Sequence, residues 1–292
     1  MAKTKSKLNR STRIFNSILT LVFSAVSLAY VYPLFIMAVN SFKKKAYISR
    51  SPFTVPLPGT DAWNKMFVGT QNYVSGIEKT DFFHAFCFSL LITVLSVLVI
   101  LLFCSMTAWY INRVTSKMSK SVYALCLFSM VVPFQMVMFT LSKLANMLHL
   151  NTPLGIVVIY LGFGAGLAVF MFSGFMKSCP VAIEESAMID GCSPPRTFFS
   201  IVLPILQPVY VSTAILEAMW IWNDYLLPYL VLDIKKYKTI PIAVQYLKGG
   251  YGSVDMGAMM AMLVLAIIPI VILYLACQKF IISGVMAGAV KG

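Results

Sequence analysis

Charge is what this sequence has least of. Only 11% of its 292 residues are Asp, Glu, Lys or Arg, against roughly a quarter in an ordinary soluble domain. A chain that is 59% hydrophobic cannot build a water-facing surface from so few charges, which excludes a soluble globular protein. Histidine is nearly absent, with His84 and His149 far apart, so the clustered His, Cys or carboxylates of a membrane enzyme are not signalled. The six cysteines (Cys87, Cys104, Cys126, Cys179, Cys192, Cys277) form no C-x-x-C pair and read as small apolar residues, not as a zinc site or a disulfide framework. No G-x-x-x-x-G-K-[ST] occurs, so the chain has no P-loop of its own. Acidic residues number ten against 23 Lys and Arg. That excess lies between apolar runs and not along one face, which argues against a nucleic-acid partner.

What is present is a series of long apolar runs. A spanning helix needs roughly 20 mostly apolar residues, because lipid offers backbone groups no partner. Ile14 to Ala38, Ala85 to Ile111, Ser121 to Ser142, Gly155 to Met176, Ile205 to Leu232 and Met256 to Cys277 meet that length. The first belongs to an uncharged stretch of 29 residues, Ile14 to Phe42, too long for a cleaved signal segment. The expected fold class is therefore an all-α integral membrane protein with six transmembrane helices, residues 1–292 forming one domain. Lys3, Lys5, Lys7, Arg10 and Arg13 precede the first run, as on a flank held at an anionic cytoplasmic surface. Counting Lys and Arg on alternate sides gives twelve against eleven, so charge does not orient the chain. The longest loop, Lys43 to Phe82, carries Pro52, Pro56, Pro58 and Gly59 and is expected to run partly extended along the membrane surface.

Between the fourth and fifth runs, residues 177–208 have a helix, turn, helix pattern. Pro180 suits a first turn, Glu184 and Glu185 favour the positive end of a helix, and Gly191 suits a left-handed terminator. Ser193 and Pro194 then start a second helix, which Pro204 is expected to stop. Glu217 and Asp224 stand seven apart on one face of the fifth run. Acids at membrane depth are costly and are functional candidates by default. The Met-rich start of the sixth run (Met256, Met259, Met260, Met262) reads as adaptable packing.

The block "E-S-A-x-x-D-G" at Glu185 to Gly191, with "I-V-L-P" at Ile201 to Pro204, resembles the EAA loop of ABC-importer membrane subunits, in the form found in maltose-type carbohydrate permeases. "NSFK" at Asn40 to Lys43, "WNDYLLP" at Trp222 to Pro228 and "GVMAGAVKG" at Gly284 to Gly292 resemble the same family in the same order, across essentially the whole chain. Ser186 and Cys192 stand where that family usually has Ala; both are small.

The resemblance implies a type I importer permease, located in a bacterial-type inner membrane with both termini cytoplasmic. It further implies that residues 177–208 dock on a separate ATPase through Glu184, Glu185, Ser186, Ala187, Met188, Asp190 and Gly191. Trp222, Asn223, Asp224 and Tyr225, with Glu217 added from its depth, are candidates for a substrate path. The outer loop 233–255 would meet an external solute-binding protein through Gly249, Gly250 and Tyr251, and the tail 279–292 would reach between ATPase subunits. The implied partners are a second permease, two ATPase subunits, the solute-binding protein, lipid and a carbohydrate, with glycerol phosphate an alternative cargo and no cofactor bound by this chain. A secondary transporter is the competing reading and would show internal repeats and intramembrane ion sites. No repeat is visible.

Overall fold

The computed structural model describes residues 10–247 and 254–289. In chain order the helices are α1 (Arg10–Asn40), α2 (Lys45–Arg50), α3 (Asp61–Met66), α4 (Gln71–Thr80), α5 (Phe82–Arg113), α6 (Lys117–Val131), α7 (Phe134–Met147) and α8 (Pro153–Met176). They continue as α9 (Val181–Ile189), α10 (Pro194–Thr197), α11 (Leu203–Ile205), α12 (Gln207–Asn223), α13 (Leu226–Val231), α14 (Ile240–Gln245) and α15 (Met256–Ala289). A π-helical turn over Phe198–Val202 joins α10 to α11. Among the described residues four helices are long and apolar enough to cross a membrane, and up to six spans result when each of two bent pairs counts as one.

Pro133, Pro208, Pro228 and Pro269 fall inside or near the ends of the apolar runs, where kinks are expected, and the bends are sharper than kinks. The third run does not form one helix from Ser121 to Ser142. Instead α6 and α7 meet at 107° across Val132 and Pro133. Proline has no N–H to continue the ladder and pushes its predecessor out of the helical region, and Val132 is extended at ψ 114. The fifth run is also broken. Continuous helix ends at Asn223, Asp224 is extended at ψ 123, and α13 restarts two residues later. Pro204 does not stop the second loop helix, which continues to Ile205 before turning 78° into α12. The sixth run forms a span over Met256–Gln278 as expected, and its helix, α15, carries Pro269 and continues beyond the span to Ala289.

Cα packing divides the chain into two compact units. The first comprises residues up to Glu78 together with Leu247–Leu265. Its loop after α1, expected to be partly extended, is without helix over residues 51–60 and otherwise folds into the short helices α2, α3 and α4. Lys43 is fully buried there, and its Nζ donates to the carbonyls of Ser51 (3.1 Å) and Pro52 (3.0 Å). The Asn72 amide donates to the carbonyls of Ser41 and Lys43. Phe42 stacks on Phe67 and lies tilted against Tyr73. The "NSFK" block is thus a hydrogen-bonded plug, not a surface feature.

The second unit comprises Lys79–Tyr246 and the chain from Ala266. Its core is α5 on α8, with α12 and α6 against them. Ile92, Ile100, Cys104 and Ala108 from α5 meet Tyr160, Ala168, Phe172 and Met176 from α8, with Phe198, Val202 and Leu206 closing one end. With no hydrophobic force between helices in lipid, close approach at small residues supplies the packing. Gly164 supplies it at mid-helix: a Cβ there would lie 2.6 Å from the Ile100 side chain and 3.0 Å from the Glu217 carboxylate.

Candidate functional site: the 177–208 loop and the acids of the fifth span

The loop begins where α8 ends. Pro180 takes the N-cap position of α9 and not its first turn, one residue from the expectation and equally suited to a residue without a free N–H. At the other end, Gly191 has φ +87, its N–H donates to the Met188 carbonyl and the Cys192 N–H to the Ala187 carbonyl. These are the two bonds of a Schellman terminator. Ser193 is the N-cap of α10 with Pro194 at its first position, as expected, but the Ser193 hydroxyl makes no capping bond.

The helix so bounded has two faces. Glu184 and Ala187 are buried, while Glu185, Ser186, Met188, Ile189 and Asp190 are exposed. Ile189 is 85% exposed, and Val181, Ile183 and Met188 of the same helix are exposed as well. A nine-residue helix thereby presents an apolar patch edged by two carboxylates. The buried face is held by charge. Arg113, the last residue of α5, donates from Nη2 to Glu184 Oε1 at 2.7 Å and from Nε to both oxygens at 3.0 and 3.1 Å. Trp109, one turn earlier, adds its indole N–H at 2.8 Å. Arg113 also reaches the Cys179 carbonyl at 3.4 Å. Glu184 therefore faces its own chain, fully engaged, and the outward surface of α9 is carried by Glu185, Ser186, Met188, Ile189 and Asp190. Burial pushes the neighbouring Cys179 thiol up, with Arg113 opposing and Glu184 adding to the shift.

The two acids of the fifth span both face α8, as their spacing predicts, but their situations differ. Asp224 closes the break between α12 and α13. Its Oδ1 accepts from the Leu226 and Leu227 N–H groups (3.0 and 3.3 Å) and its Oδ2 from the Tyr160 hydroxyl at 3.0 Å. Glu217 lies mid-helix, 1% exposed, and neither carboxyl oxygen has a hydrogen-bond partner among the described residues. Trp222 is buried and its indole donates to the Ala266 carbonyl at 3.1 Å. Asn223 is exposed and its amide donates to the Met219 carbonyl. Tyr225 is half-buried and stacks on Tyr229 at 5.2 Å. Gly249, Gly250 and Tyr251 lie outside the described residues.

The model of one family, the binding-protein-dependent transport system inner membrane component, matches residues 100–286. The chain belongs to that family. The matched range covers the Arg113–Glu184 clamp, the Schellman turn and both acids. The permease is 36% identical over 282 residues to the probable starch degradation products transport system permease protein AmyC of Thermoanaerobacterium thermosulfurigenes, covering 97% of this chain and 99% of that one. It is 35% identical over 265 residues to the multiple sugar-binding transport system permease protein MsmG of Streptococcus mutans, with 89% and 91% covered. Its fold matches a chain of a bacterial ABC transporter that imports the acidic polysaccharide alginate, with a TM-score of 0.75 at 18% identity, over 94% of this chain and 99% of that one. It is accordingly a multi-pass inner-membrane permease component of an ABC transport system.

Sequence reasoning missed the residues that hold the permease's loop in place. Arg113 served only as a charge to be counted between spans, and Trp109 as part of an apolar run. Their signal was available: an Arg within a turn of Trp at the end of a helix, and a second Glu beside the motif's own. Tyr160 and Lys43 were missed because nothing in their local sequence distinguishes a buried tyrosine or lysine from an exposed one.

Proposed function

We propose that this permease forms half of the membrane path of an ATP-driven carbohydrate importer and that α9 docks on a separate ATPase subunit. The observation that carries this is the two-faced α9: Met188 and Ile189 at its C-terminal end are exposed apolar side chains on a helix whose other face is clamped by Arg113. Exposed apolar patches with a polar edge mark interaction sites. The ATPase side is cytoplasmic in this reading, so both termini are cytoplasmic and residues 233–255 are external, where the loop containing Gly249, Gly250 and Tyr251 meets a solute-binding protein. The C-terminal part of α15, including Gly284 and Gly288, reaches towards the ATPase subunits. A second permease completes the path.

The relatives' names, starch degradation products and multiple sugars, support a carbohydrate cargo. Asn223, Asp224 and Tyr225 are the fifth-span candidates with accessible surface, the last forming an aromatic platform with Tyr229 on which a sugar ring can stack. Asp224 also holds the break in shape, buried Trp222 acts behind them, and Glu217 joins the path only in a conformation that opens the α8 seam. The test is purification of the tagged chain in mild detergent, with identification of the co-purifying subunits and of the solute that stimulates ATP hydrolysis. Recovery of a permease pair with an ATPase, stimulated by a sugar and its binding protein, is the expected result. A stable chain with no ATPase partner overturns the reading. In sealed cells Cys192 should label only from the cytoplasmic side, and external labelling overturns the orientation.

A further inference from the structure

Helix α5 touches both ends of the proposed machine. It is 32 residues long, about 48 Å. At one end Arg113 and Trp109 grip Glu184 of α9. Towards the other, Ser89 Oγ accepts the Ile240 N–H at 2.8 Å in a buried bond, and Phe88 sits edge-on to Tyr237 at 5.3 Å. Both of these partners lie in the segment between the last two spans. Arg113 and Ser89 are 24 residues apart on one unbroken helix, about 36 Å.

Two observations distinguish α5 from the helices packed on it. Its sequence from Phe82 to Arg113 contains neither proline nor glycine, the usual sites of kinks. By contrast α6 and α7 bend at Pro133, α8 carries five glycines, and α12 stops at Asn223. Moreover α8 reaches the 177–208 loop through the chain itself, across Lys177 to Pro180, whereas α5 is remote in sequence and is fastened to the loop by side chains alone. A planar guanidinium fork on a buried carboxylate has a narrow geometry, so α9 cannot shift along α5 by a fraction of a turn and keep these bonds.

We propose that α5 is the rigid member that carries the coupling between the 233–246 segment and α9, with Arg113 and Ser89 as the positioning residues at its two fastenings. The inference rests on the reading that α9 docks on an ATPase and that the 233–255 loop meets a binding protein. When the loaded binding protein displaces the 233–246 segment, α5 moves with it through Ser89 and draws α9 through Arg113.

The experiment uses the complete assembly in proteoliposomes and measures ATP hydrolysis with and without loaded binding protein, for the parental chain, Arg113→Met, Arg113→Lys, Ser89→Ala and the Arg113→Met/Ser89→Ala double variant. Expected are unchanged basal hydrolysis and ATPase co-purification, with the stimulated-to-basal ratio falling about fivefold or more in Arg113→Met and Ser89→Ala. Arg113→Lys, which keeps the charge and loses the fork, falls less. Since both fastenings lie in series on one rod, the double variant is no worse than the weaker single. Exchanging the pair, Arg113→Glu with Glu184→Arg, recovers part of the ratio lost in Arg113→Met, an outcome that a merely misfolded loop does not give. A parental ratio in both single variants overturns the inference, as does a double variant whose loss multiplies those of the singles. Absence of stimulation in the parental assembly overturns the docking reading and this inference with it, whereas a parental response that survives the variants overturns α5 alone.

Discussion

Substituting Gly191 by asparagine, alanine and valine in turn separates the backbone geometry of the loop from any contact that its surface makes. Gly191 lies at φ +87, where an L side chain is strained, and a Cβ added to it would meet nothing within 4 Å. No steric collision therefore contributes, and the whole effect is conformational. For a residue without asparagine's local hydrogen bonds the left-handed region costs roughly 1–2 kcal/mol. A cost of that size lowers the population of the Schellman turn by roughly 5- to 30-fold and misdirects the Asp190-to-Ser193 connection, so the exposed face of α9 and the start of α10 lose their mutual orientation. Asparagine tolerates this region, so Gly191→Asn should keep most transport, Gly191→Ala should lose more, and Gly191→Val should lose nearly all while inserting normally, because the residue belongs to no span. Uptake of labelled sugar and retention of the ATPase on a tagged permease are the assays. If asparagine is as damaging as valine, the position acts through a surface contact and not through its φ. If valine transports at the parental rate, the terminator has no part in coupling.

Three further outcomes follow from other parts of the structure. Burial lowers the Lys43 ammonium below the ordinary lysine value of 10.5, so between the folded value and 10.5 the unfolded chain holds more protons and folding stability rises with pH. The melting temperature of the parental protein relative to Lys43→Met should therefore climb as the pH is raised from 8 to 10, and a falling difference refutes it. The Cys179 thiol is buried and pushed up while Cys192 is half-exposed, so a maleimide at pH 7 should modify Cys192 first and Cys179 only once Arg113→Met has loosened the clamp; early labelling of Cys179 in the parental chain contradicts this. Glu217→Met removes a carboxyl that is buried and without a hydrogen-bond partner among the described residues, which should stabilise the permease by about 1–3 kcal/mol, read as a higher melting temperature in detergent; a lower one means that Glu217 has a partner in the folded protein.

The spans and the loop were legible because each is written in a local pattern. Apolar runs of fixed length gave the helices, and the Pro180, Gly191 and Pro194 punctuation placed α9 and α10 within a residue or two. The bend at Pro133 was less visible, since a proline inside a span kinks or breaks it according to what satisfies the freed carbonyls, and that depends on neighbours in space. The same limit hid the second fact about Glu184. Its position in the motif suggests an outward docking residue, yet its carboxylate belongs to Arg113, 71 residues earlier. Asp224 was singled out for its depth, and the structure adds that its three hydrogen bonds hold the chain break, a role that depends on Tyr160 64 residues away.

The first helix is the odd member of the set, for no residue of its apolar window is buried among the described residues. In the order of synthesis it precedes every other described helix. A segment of that composition enters lipid by its own partition energy, with no later helix of the same polypeptide needed to hold it there. Being made before the other described helices does not give α1 a buried apolar face, and whatever shares the bilayer can lie against it. By mass action, its share of the stability then depends on the amount of those neighbours and not on this sequence alone.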